Sequence, residues 1–144
     1  MKFLTVALLV VTPLALAQET VPRGTQFPSN ITIRHTTIDK VQAAFAHACS
    51  DEHGKIVTQT ANVFECEVPE NLNFAQKLIY LNAKTTFPER HYQWTFSSSN
   101  DDVNVQSSGW RTAQNKQGQN LREAGGDWDA GRLMAKVAKE FPDQ

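Results

Sequence analysis

The sequence predicts an α+β domain: a mostly antiparallel sheet with about three helices packed on one face, and one disulfide. Three observations carry this. Short runs alternate apolar and polar residues with the period of two expected of a half-buried strand, most clearly where Tyr92, Trp94 and Phe96 interleave with His91, Gln93 and Thr95. Between them, apolar residues recur at helical spacing, as at Ile38, Val41, Phe45 and Ala48. The resulting order is strand, helix, hairpin, helix, antiparallel strands, helix, which suits helices laid on an antiparallel sheet rather than a βαβ series. The disulfide follows from the cysteine count, since Cys49 and Cys66 are the only two.

Taken in order, the chain opens with Lys2, an apolar run from Phe3 to Val11 and the small-x-small series Ala15-Leu16-Ala17. That is the pattern of a secretory signal peptide, residues 1–17, cleaved after Ala17. The run is too short to span a bilayer, which takes roughly 20 residues, and no later segment is apolar enough to do so. The expected destination is the periplasm or the exterior, where a disulfide persists. Residues 18–30, with Pro22, Gly24 and Pro28, read as a flexible arm, and 31–144 as a single domain. Asn30-Ile31-Thr32 matches an N-glycosylation sequon.

Ile31 and Ile33 mark a first strand. Thr36 is a candidate N-cap for the helix that follows, with Asp39 as its reciprocal partner, and Gly54 a candidate stop. Cys49 lies near the apolar stripe of this helix, with His47 on the opposite side. Lys55 to Thr60 and Val63 to Val68 form a hairpin turning near Ala61-Asn62. In its second strand Phe64, Cys66 and Val68 share one face, Glu65 and Glu67 the other, so Cys66 points inward toward Cys49. Residues 73–83 read as a helix capped by Asn73 and Gln76, with a strand as the alternative. After the strand at 92–96 comes a polar turn at 98–101, a return strand opened by Val103 and Val105, a further strand at 119–123 and a last helix from about Asp129 to Phe141. Asp129 is its candidate cap, and Ala130, Leu133, Val137 and Phe141 its inner stripe.

Charge narrows the function classes. The chain has 14 basic and 15 acidic residues, net −1, or −2 once Lys2 leaves with the leader. This argues against nucleic acid as a partner and gives no electrostatic reason to dock on anionic lipid. No phosphate-binding loop, dinucleotide fingerprint, HExxH or nucleophile elbow is present, so no cofactor is expected. His47, Asp51 and His53 match no strong metal template, and no metal site is expected.

Four residues stand out as binding candidates. Arg90 and His91 lie where a loop enters a strand, and His91 beside Glu89 could act as a general base. Trp110 falls on the outer parity of its strand beside Arg111. Either a bulge at 107–109 turns it inward, or it stands exposed as a contact residue. The leading expectation is a non-catalytic binding or accessory protein of the cell envelope, of inhibitor, immunity or assembly-factor type, with another envelope or secreted protein as partner. The alternatives are a small secreted hydrolase using His91 with a nearby carboxylate, and a structural subunit of an envelope complex.

Overall fold

The computed structural model describes residues 26–83 and 86–141, so the leader and residues 18–25 of the arm lie outside it. Six strands form one sheet: β1 (Asn30–Ile33), β2 (Lys55–Gln59), β3 (Val63–Pro69), β4 (Glu89–Ser99), β5 (Asp102–Gln114) and β6 (Asn120–Ala124). Three helices, α1 (Ile38–Asp51), α2 (Phe74–Ala83) and α3 (Asp127–Ala138), complete the α+β fold. The strand order is β1-β5-β4-β3-β2, with β6 also on β5. All the pairings are antiparallel, and β1 and β6 share one edge by pairing successive stretches of the long β5.

The alternation of β3, β4 and β5 decides what is inside. Phe64, Cys66, Tyr92, Trp94, Phe96, Val103 and Val105 are buried on one face. α1 covers them with Val41, Phe45, Ala48 and Cys49, and α3 with Ala130, Leu133, Met134 and Val137. Phe45 is the hinge of this core. Its ring centroid lies 4.4 Å from Trp94 and 5.7 Å from Phe96. The Trp94 indole N–H donates to the Ala130 carbonyl at 3.2 Å, so the largest core side chain buries no unpaired donor. Full burial of each such side chain stabilises the fold by roughly 1.5–3 kcal/mol.

The expected bridge joins Cys49 to Cys66, with the Cα atoms 5.9 Å apart. Gly54 serves it differently from the helix stop read in the sequence. His53 takes the left-handed conformation after α1, at φ 57°. A Cβ at Gly54 would lie 2.6 Å from the Cys66 sulfur and 2.9 Å from that of Cys49, so this glycine makes room for the disulfide.

Both expected helix starts on the core face move. α1 begins at Ile38 with Thr37 at the cap position, not Thr36, and no side chain caps it. The Thr36 N–H instead donates to the Asp101 carbonyl, tying the helix entry to the β4–β5 turn. α3 begins at Asp127 behind Gly126, not at Asp129. The Asp127 carboxylate accepts from the Gly109 N–H at 2.7 Å, while Asp129 pairs with Arg90. At Asp129 a tertiary ion pair takes the carboxylate that the local pattern assigned to capping. The end of the arm is also held: Phe27 sets its ring edge-on to Trp128 at 5.1 Å, and the Ser29 carbonyl accepts from the Ser107 N–H.

α2 forms as a helix with the expected reciprocal cap, Asn73 N–H to the Gln76 side chain and Gln76 N–H to the Asn73 side chain, both at 2.9 Å. It does not join α1 and α3 on the core. Leu72 is buried at its entry, but Phe74, Leu78, Ile79 and Leu81 are exposed. β3 and β4 are neighbours in the sheet, so the connection between them has no face to cross, and the helix within it stands aside.

Candidate functional site on the open face of the sheet

The face of the sheet away from α1 and α3 receives the polar half of each alternation. Glu65 and Glu67 come from β3, Glu89 and His91 from β4, Trp110 and Thr112 from β5 and Arg122 from β6. The register sets them side by side: Glu67 opposite His91, His91 opposite Trp110, Glu89 opposite Thr112, and Thr112 opposite Arg122.

His91 is the centre. Only 9% of it is exposed. Its Nδ1 lies 3.1 Å from a Glu65 carboxylate oxygen, and its Nε2 lies 2.9 Å from the Thr112 hydroxyl. An ionised carboxylate can only accept. In the neutral form of the ring this contact puts the proton on Nδ1, donating to Glu65, and leaves Nε2 to accept from the Thr112 hydroxyl. One hydrogen-bonded line thus crosses three adjacent strands, from carboxylate to imidazole to hydroxyl.

The line ends at a cavity of about 430 Å³ lined by Thr86, Phe87, Glu89, His91, Thr112 and Asn120, among others. Thr86 is fixed there by the Gln114 N–H, which donates to its hydroxyl at 3.2 Å. Trp110 forms the other wall of the imidazole. The two rings are stacked at 5.2 Å with 3° between their planes, and the Arg122 guanidinium lies 3.9 Å from the Trp110 ring centroid. Trp110 is therefore outward but half-buried, closed by His91 and Arg122.

The bulge weighed for 107–109 does not form. The β4–β5 register runs unbroken from Glu89↔Thr112 to Ser99↔Asp102. Gly109 is the reason the parity can persist. It occupies the inward position where the α3 entry crosses the strand, and a Cβ there would lie 2.4 Å from the Gly126 carbonyl carbon.

Of the four binding candidates, the structure brings His91 and Trp110 together and separates them from Arg90 and Arg111. Arg90 and Arg111 face each other in the register, on the opposite side of the sheet. Glu70 bridges the two guanidinium groups, and Arg90 also reaches Asp129 at 2.9 Å. Nearby, burial pushes the Tyr92 phenol above its ordinary range, and a hydrogen bond from Arg90 offsets only part of this. Both arginines are thus committed to pairing at the sheet end.

Glu67, Glu89 and His91 each bring a ligand atom within 4.8 Å of the others, and among the described residues they form a group that could hold a metal ion. Such an ion would have to compete with Glu65 or Thr112 for a ring nitrogen of His91. His47, Asp51 and His53 form no such group. His47 and His53 are exposed, and Asp51 pairs with Lys136 at 3.0 Å.

Glu65, Thr112 and Arg122 were not singled out by sequence reasoning. The alternation of β3 already put Glu65 outward, but its diagonal reach to His91 depends on the register, which no local pattern specifies. Comparison with family models finds none that matches the chain, and comparison with curated proteins finds no significant relative.

Proposed function

We propose that the protein is a small exported hydrolase in which Glu65, His91 and Thr112 act as one relay. The observation that carries this reading is the continuous Glu65–His91–Thr112 hydrogen-bonded line at the cavity edge. Nucleophile, base and orienting group within hydrogen-bond reach are the general requirement for activating a weak hydroxyl. His91 Nε2 takes the Thr112 proton as the hydroxyl oxygen bonds to the carbonyl carbon of an ester held in the cavity. The same proton passes to the departing alkoxide as the C–O bond breaks. Water then repeats the sequence on the acyl group and frees Thr112.

The leading expectation from the sequence, an envelope binding or accessory protein, rested on small size, one disulfide and no recognised catalytic motif, with Trp110 as its candidate anchor. With His91 on one side of its ring and Arg122 on the other, Trp110 presents an edge rather than a free face, and the His91 centre is better supported.

The test is turnover of p-nitrophenyl esters by the purified protein and three variants. His91→Gln and Thr112→Val should each lower the rate about 10²–10⁴-fold, with a smaller loss for Glu65→Gln. A native protein that turns over no faster than His91→Gln would refute the reading.

A further inference from the structure

We propose that Glu67, Glu89 and His91 form a binding site for a divalent transition-metal ion of the zinc type, with His91 Nε2 as its nitrogen ligand. The inference stands on the placement of these side chains and does not depend on the relay assigned to the same histidine.

The sheet puts the three donors together. Glu67 and His91 are register partners on β3 and β4, and Glu89 precedes His91 by two residues, so all three leave the open face of the sheet. Opposite residues of an antiparallel pair start about 5 Å apart at Cβ. One ligand atom of each side chain lies within 4.8 Å of the others. Ligands around a tetrahedral zinc ion stand about 3.4 Å apart, with metal–ligand bonds of about 2.1 Å. Glu67 is half-buried and Glu89 exposed, so side-chain rotation closes the difference while the backbone stays in place.

The carboxylates are open to a cation. Neither Glu67 nor Glu89 takes part in an ion pair among the described residues, and Glu65 adds a third carboxylate beside the same imidazole. Lys55 faces Glu67 across β2 and β3, yet its ammonium forms no ion pair with that carboxylate. The Arg122 guanidinium is engaged by the Trp110 ring.

The imidazole is presented as a ligand. A metal-bound histidine donates its other ring N–H to a carboxylate, carbonyl or water, which fixes the tautomer and strengthens the donor nitrogen. Glu65 holds that place, 3.1 Å from Nδ1, and the stacked Trp110 ring holds the plane of the imidazole. Nε2 is left on the side where Glu89 and Thr112 line the same cavity. There the ion displaces the Thr112 hydroxyl, exchanging one neutral hydrogen bond for a coordinate bond. Nε2 cannot serve both at once, so a bound ion holds the relay off. Imidazole with carboxylate oxygens suits zinc and its neighbours, whereas magnesium and calcium prefer an all-oxygen shell. Three protein ligands leave a fourth tetrahedral position open to the cavity.

Isothermal titration calorimetry with zinc chloride, on the full chain with its disulfide intact and its metal stripped by EDTA, tests this. The native protein should bind one zinc ion per chain. Glu89→Gln alters an exposed side chain outside the core and should weaken binding at least about tenfold. His91→Gln should abolish the site. Thr112→Val removes the competing hydroxyl and should bind zinc as tightly as the native chain or more tightly. Cobalt(II) chloride should quench tryptophan fluorescence, and Trp110→Phe should remove most of that quenching, because Trp110 stacks on the ligand ring. The proposal is overturned if the native chain takes up no zinc at micromolar concentration, if Thr112→Val loses it, or if Trp110→Phe keeps the full quenching. It is also overturned if Glu89→Gln or His91→Gln binds zinc like the native chain, since the ion then sits elsewhere, as on the exposed His35, His47 or His53. None of these readouts uses an ester, so they stand apart from the turnover assay.

Discussion

The two faces of this sheet come from the same strands and face opposite demands. On the covered face, Trp94 sits among Phe45, Phe64 and Tyr92, fully buried, with its one polar atom bonded to α3. On the open face, Trp110 lies between an imidazole and a guanidinium, half-buried, with Glu65, Glu67 and Glu89 nearby. The first arrangement maximises apolar area removed from water, and its side chains need only fit. The second places hydrogen-bonding groups in fixed register on a rigid support, with water excluded from one side only. A strand with period two performs both tasks at once, so that stability and chemistry can be altered almost independently.

Substituting the two tryptophans tests that separation most directly. Trp94→Ala should cost about 3–5 kcal/mol in urea unfolding, and Trp110→Ala about 1 kcal/mol. Equal losses would mean that the open face carries core packing. Next is the staple of the covered face. Cys66→Ala should lower stability by about 2–5 kcal/mol, and reduction of the native protein should reproduce most of the shift in melting temperature.

A smaller contrast uses neighbours on opposite faces of β5. Gly109→Ala places a methyl group against the backbone of Gly126 and should cost about 1–3 kcal/mol. Ser108→Ala, on the open face, should stay within about 0.5 kcal/mol. Smallest is an alkaline effect. Burial raises the Tyr92 phenol above its ordinary value of 10.0, with the Arg90 hydrogen bond opposing. Above that ordinary value the unfolded chain releases the proton while the folded protein keeps it. The stability is therefore present below pH 10 and lost as pH rises through the folded-state value. Tyr92→Phe should flatten the fall in melting temperature in that range, and an unaltered alkaline limb would remove Tyr92 as its cause.

While leaving open the face of Trp110 and the choice between helix and strand at 73–83, local pattern alone marked the strands at 63–68 and 92–96, their inner faces and the meeting of Cys49 with Cys66. These are local or parity properties: the period of Tyr92, Trp94 and Phe96, and a pair of cysteines each on an inner side. It also determined the cap of α2, because Asn73 and Gln76 need nothing beyond one turn of helix. Tertiary packing alone left the apolar side of α2 uncovered, started α3 at Asp127 behind Gly126 so that Asp127 accepts from Gly109, and paired Arg111 with Glu70. It alone decided the line from Glu65 through His91 to Thr112. Those three residues lie 26 and 21 positions apart, and their meeting depends on the registers of β3 on β4 and β4 on β5. Register is set by the summed packing of whole strands and by the backbone contact at Gly109, and no short stretch of sequence contains either.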